Sequence, residues 1–136
     1  MILIDSPFAN VANIARALRA AGATLDVTRD AALIASARRL VLPGVGSFAA
    51  ARAWLAETRI DRAIASAVAK DAFLLGICVG HQLLFDLSEE HGRVRGLGIV
   101  RGEVRRFDGP LPVPQIGWNR VTARGVLFDG VENEAF

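Results

Sequence analysis

The strongest constraint on the fold is the spacing of three short apolar runs: Ile2-Leu3-Ile4, Leu40-Val41-Leu42 and Phe73-Leu74-Leu75-Gly76-Ile77. Amphipathic stretches separate them. Short apolar strands alternating with helices read as parallel βαβ units, with the sheet covered on both faces. Asp5-Ser6-Pro7 ends the first run, because proline fixes its own φ and has no N–H to donate. Asn10 then caps a helix to about Ala21, with Val11, Ile14, Ala15 and Leu18 on one face and Gly22 as its terminator. Thr24 to Thr28 alternates like a strand, and Ala31 to Ala35 forms a short helix before the second run. Pro43-Gly44-Val45-Gly46 stops that run, and Ser47 opens a helix bearing Phe48, Ala51, Trp54 and Leu55. A further helix is expected from Asp61 to Ala69. After the third run the pattern predicts a helical stretch with Leu83, Leu84 and Leu87. Shorter, Gly- and Pro-punctuated strands follow over Ile99 to Phe107 and Val113 to Val121.

A chain of 136 residues fits a single domain with a sizeable core. With 52% hydrophobic and 22% charged residues it is neither disordered nor a polyelectrolyte. Cys78 is the only cysteine, which excludes a disulfide framework and a multi-cysteine zinc site. No His/Cys/Asp cluster has metal-ligand spacing, and no cofactor is expected. No apolar run approaches the ~18 residues of a membrane span, and Met1 to Asp5 lack the basic start of a secretory signal. A soluble, cytoplasmic protein is the expectation. Fifteen of the 16 basic residues are arginine, spread along the chain and interleaved with acids. The densest group is Arg93, Arg95, Arg101, Arg105 and Arg106, relieved by Glu103. It fits an exposed face or protein-docking rim better than the clustered stripe of a nucleic-acid binder.

Chemistry concentrates in Leu74-Leu75-Gly76-Ile77-Cys78-Val79-Gly80-His81-Gln82. This is G-x-C-x-G at an expected strand-to-helix junction, the cysteine version of a nucleophile elbow. Side chains in place of the two glycines would collide with neighbouring elements in so sharp a turn. Cys78 would lie at a helix N-terminus, which favours the thiolate, and the Val79 N–H would point to a developing oxyanion. A lone cysteine that is merely small and buried is the alternative. Pro43-Gly44-Val45-Gly46 lies at the C-terminal end of a parallel strand, the edge where open α/β sheets bind ligands. It reads either as a turn that needs glycine or as a source of a second oxyanion donor. Without G-x-x-x-x-G-K-[ST] it is not a P-loop.

Leu42-Pro43-Gly44-Val45-Gly46-Ser47-Phe48 together with Gly76-Ile77-Cys78-Val79-Gly80-His81-Gln82-Leu83-Leu84 resembles the class I (triad) glutamine amidotransferases. Ser88-Glu89-Glu90, Gly96-Leu97-Gly98 and Val113-Pro114-Gln115-Ile116-Gly117-Trp118-Asn119 are most similar to the glutaminase subunits of imidazole glycerol phosphate synthases. The resemblance runs along nearly the whole chain. It implies a three-layer, flavodoxin-like α/β fold with a mostly parallel sheet. It also implies an activity: Cys78 attacks the glutamine amide, ammonia leaves, and water cleaves the thioester. The implied partner is a cyclase subunit, a (β/α)₈ barrel that takes the ammonia in histidine biosynthesis. By motif position, Val79, Val45 and Gly44 match the oxyanion-hole segments, while Gly46, Gln82 and Glu90 match glutamine-contacting positions.

Three departures stand out. The family's histidine base and its carboxylate lie on a later segment, and this chain ends at Glu132-Asn133-Glu134-Ala135-Phe136, where that segment would begin. The expectation is therefore a domain without its C-terminal third, with little or no glutaminase activity and poor solubility by itself. His81 is expected to support the elbow and His91 to be a solvated loop residue. Ser6-Pro7-Phe8-Ala9 and Gln115 replace the family's usual Tyr-Gly-Ala-Gly-like loop and histidine. A non-catalytic remnant that binds a partner, or an amidotransferase of another pathway, are the competing readings.

Overall fold

A computed structural model describes residues 1–90, 92–110, 113, 114, 117–120, 122, 125 and 128. The chain divides into two compact units, Met1–Arg106 and Phe107–Phe136. In the first, β1 (Ile2–Ile4), β2 (Asp26–Thr28), β3 (Arg39–Gly44) and β4 (Phe73–Cys78) form a four-stranded, wholly parallel sheet in the order β2-β1-β3-β4. That is the doubly wound, flavodoxin-like order. Helices α1 (Val11–Ala20), α2 (Ala31–Ser36), α3 (Phe48–Glu57) and α4 (Ile60–Val68) cover it.

The two sides of the sheet follow from the alternation of side chains along a strand. Leu3 and Val41, register partners on β1 and β3, pack with Ala15 and Leu25 against Val11, Ile14 and Leu18. Their neighbours Ile4, Leu40 and Leu42 point the other way, into a larger core with Ile34, Phe48, Leu55, Ile60 and Ile64. One apolar run thus serves two cores, which is why those runs carry no polar positions. Each fully buried Leu or Ile contributes about 1.5–3 kcal/mol. The helix starts are local: Asn10, Asp30 and Ser47 cap α1, α2 and α3 with side-chain oxygens that accept backbone N–H groups.

After β4 come a single turn, α5 (Val79–Gln82), and a second sheet made of β5 (Phe85–Ser88), β6 (Val94–Arg95) and β7 (Val100–Val104). Its order is β6-β5-β7, with β6 antiparallel and β7 parallel to β5. Here the helical expectation through Leu87 fails. The Leu83 and Leu84 carbonyls accept N–H groups from Leu97, Ile99 and Val100, so the chain leaves the helix to pair with the following segment. Gly96 permits that approach: a methyl group there would lie 2.0 Å from the Phe85 carbonyl oxygen. The other elements expected up to Phe107 form with shifts in their ends. β3 runs on through Pro43 and Gly44 because these pair with Ile77 and Cys78 of β4, and proline is tolerated there because β1 supplies register partners only to Leu40 and Val41. By Pro43 the strand has β4 alone as its neighbour.

In the second unit, residues 117–119 are not part of the strand expected there, and Asn119 Nδ2 donates to the Gly117 carbonyl (3.1 Å). His91 and Gln115 lie outside the described residues. Among the described residues, no helix is long and apolar enough to cross a membrane.

Candidate active site

β4 delivers Cys78 to the C-terminal end of the parallel sheet, where the backbone turns abruptly into α5. Cys78 has φ 54° and ψ −118°, a conformation that L-residues with a Cβ rarely adopt. It persists because the surroundings over-determine it. A methyl group on Gly76 would lie 2.5 Å from the His81 Cα, and one on Gly80 would lie 1.9 Å from the Leu42 carbonyl oxygen. Both glycines of G-x-C-x-G are therefore required by backbone packing, as the sequence suggests. Cys78 itself is exposed, whereas its neighbour Val79 is buried in the core. The Val79 N–H belongs to the first turn of α5, where a helix offers no acceptor of its own.

The glycine-rich loop stands beside this elbow by strand pairing. Gly44 is the register partner of Cys78. A methyl group on Gly44 would lie 2.7 Å from the Gly80 nitrogen, so the loop's base and the elbow are in direct backbone contact. Beyond Gly44 the loop is held by hydrogen bonds. The Val45 N–H donates to the Phe8 carbonyl oxygen (2.6 Å), and its side chain is exposed. Gly46 has φ 82° with open space where a Cβ would be, so here glycine serves backbone conformation alone. Ser47 Oγ accepts the Ala50 N–H (3.4 Å), and Glu90 Oε2 accepts the Phe48 N–H (3.0 Å).

Gln82, partly buried, closes α5. The His81 ring packs edge-on against Phe85 (centroids 5.3 Å apart, planes at 87°), and it is His81's backbone that abuts Gly76. Among the described residues no hydrogen bond joins Cys78 to an imidazole, and no group of three or more His, Cys, Asp or Glu side chains could hold a metal. A cavity of about 440 Å³ opens at the far end of the sheet, between Met1, Ile2, Ala37, Arg38, Arg39, Asp71 and Phe73. It lies at the strands' N-terminal ends, away from the sulfur.

Two contributors were hidden from the sequence. The Phe8 carbonyl is a backbone group, and its only signal is the turn set by Ser6, whose Oγ accepts the Phe8 N–H (3.1 Å). Ser88, buried, accepts the Glu90 N–H (3.2 Å) and so aims Glu90 at α3. A serine two residues before an acid is the signal that could have found it.

The profile of the CobB/CobQ-like glutamine amidotransferase domain matches residues 1–108, a span that holds the elbow, the glycine loop and Glu90. The chain belongs to the class I glutamine amidotransferases. This amidotransferase domain is also similar to proteins named imidazole glycerol phosphate synthase subunit HisH. It is 46% identical to that of Herpetosiphon aurantiacus, over 93% of this chain and 60% of the relative. For Geobacillus thermodenitrificans the identity is 45% over 96% of this chain and 65% of the relative. For Moorella thermoacetica it is 41%, over 95% and 62%. The amidotransferase chain thus spans 60–65% of the length of these curated relatives.

Proposed function

We propose that this amidotransferase domain is part of the glutaminase subunit of an imidazole glycerol phosphate synthase. One observation carries the reading: an exposed cysteine on a strained elbow, paired in register with the first glycine of Gly44-Val45-Gly46. The Cys78 thiolate adds to the carboxamide carbon of glutamine, and the carbonyl oxygen becomes an oxyanion facing the Val79 N–H. Collapse of that adduct breaks the C–N bond, and the nitrogen leaves as ammonia after gaining a proton. Water then adds to the glutamyl thioester, which releases glutamate and restores the thiol. Gly46, Gln82 and Glu90 are the glutamine-contacting residues of this reading. Gly44 and Val45 supply the second oxyanion segment. With its N–H on Phe8, Val45 has to turn its peptide before it can donate there.

The ammonia would pass to a cyclase subunit, the (β/α)₈ barrel of histidine biosynthesis, in the cytoplasm. The relatives' shared name, and their alignment across 93–96% of this chain, support that partner and support one partial domain over residues 1–136. The general base is assigned to neither His81, whose ring packs on Phe85, nor His91. The 136-residue polypeptide alone is therefore expected to turn over little or no glutamine.

A glutamine-mimicking chloroketone tests the nucleophile without needing turnover. Mass spectrometry should find the adduct on Cys78, and Cys78→Ser should abolish it. Ammonia release from glutamine, with and without a cyclase, tests the rest. Family-like turnover by the isolated 136 residues would refute the missing base, and failure to label Cys78 would refute the glutaminase reading.

A further inference from the structure

The loop from Gly44 to Phe48 has only three residues, Val45, Gly46 and Ser47, between the last residue of β3 and the first of α3. Gly44 is fixed by its contact with Gly80. The conformation of the three residues therefore depends on how firmly α3's first turn is held. Its leading N–H, on Phe48, is one of the donors that a helix cannot satisfy internally. Glu90 Oε2 takes it at 3.0 Å, across 42 residues of sequence. Glu90 is aimed there by its own N–H on the buried Ser88 Oγ. Ser88 ends β5, and β5 is reached from Cys78 through the single turn of α5.

These contacts close a ring: Cys78, α5, β5, Glu90, the start of α3, the glycine loop, Gly44, and back to Cys78 by strand pairing. We infer that Glu90 is a positioning residue, whose carboxylate fixes the glycine loop opposite the nucleophile by holding the N-terminus of α3. A negative group at that helix end also meets the positive pole of the backbone dipoles, so charge strengthens the hydrogen bond. This role rests on the glutaminase reading for its catalytic meaning. It differs from a glutamine contact, which acts through substrate affinity. A carboxylate accepts several hydrogen bonds, so one group can serve both.

The test uses the full chain with Glu90→Ala and Glu90→Gln. Amide hydrogen exchange should accelerate about tenfold at Phe48 in the alanine variant, the size of a lost charge-assisted bond. The amides of β3 and α4 should be unaffected, and the glutamine variant, which keeps an acceptor oxygen, should recover most of the protection. Where the complete enzyme hydrolyses glutamine, Glu90→Ala should lower kcat more than it raises KM. Unchanged exchange at Phe48 would overturn the inference. So would a rise in KM alone, or faster exchange throughout the fold in both variants. The exchange readout needs no turnover, so an enzyme that failed to hydrolyse glutamine would sink the glutaminase reading and leave the Phe48 result to be judged separately.

Discussion

At Gly80 an added methyl group would fall 1.9 Å from the Leu42 carbonyl oxygen, whereas at Gly46, four residues beyond Leu42, it would meet nothing within 4 Å. The elbow is fixed by hard contacts between backbones. The loop facing it is fixed by hydrogen bonds to Phe8, Ser47 and Glu90. Backbones packed this closely leave the elbow little room to rearrange. Hydrogen bonds can be exchanged for others at a net cost of about 0.5–1.5 kcal/mol each, so the loop can be reset. A rigid elbow beside a loop that can turn is the combination the proposed glutaminase chemistry needs.

Substitutions at the two regions can break or sharpen this contrast. The largest effect is expected for Gly80→Ala, which forces backbone apart at the elbow and should cost about 3 kcal/mol or more. Thermal unfolding measures it, and a loss under about 1 kcal/mol would mean that the elbow is as yielding as the loop. Cys78→Gly should act in the opposite direction. It relieves a non-glycine residue of φ 54° and should raise stability by about 1–2 kcal/mol while removing all labelling by the chloroketone. A destabilised glycine variant would contradict the strain. Smallest is Ser47→Ala, which removes one cap from α3 and should cost about 0.5–1 kcal/mol, with Cys78 labelling preserved. Lost labelling in that variant would show that the cap also governs the elbow.

Most of the fold was legible because it is written in side chains. The apolar runs gave β1, β3 and β4, and the capping residues Asn10 and Ser47 opened α1 and α3 where they were expected. The elbow was legible too, since its two glycines and its cysteine each answer to a steric or chemical demand at fixed spacing. What escaped is carried by backbone. Leu83, Leu84 and Leu87 have the spacing of a helix, yet the chain turns into β5 because peptide groups of residues 97–100 capture the Leu83 and Leu84 carbonyls. The restraint on Val45 comes from a carbonyl at Phe8, an atom that every residue type carries, and no pattern of letters encodes it. Glu90 could be read as a site residue from its motif, but its grip on Phe48 depends on two segments meeting across the fold.

The register of β3 against β4 has a last consequence. Because Gly44 and Cys78 are paired residues, the backbone at the base of the loop lies one inter-strand repeat, about 4.8 Å, from the backbone of the cysteine. The sheet acts as a ruler for the chemistry at its rim. A slip by one residue would turn the thiol to the opposite side of the sheet, so the proposed reaction would tolerate no partial misalignment. Apolar register partners along both strands, such as Leu40 and Leu74, therefore set the alignment on which the proposed chemistry depends.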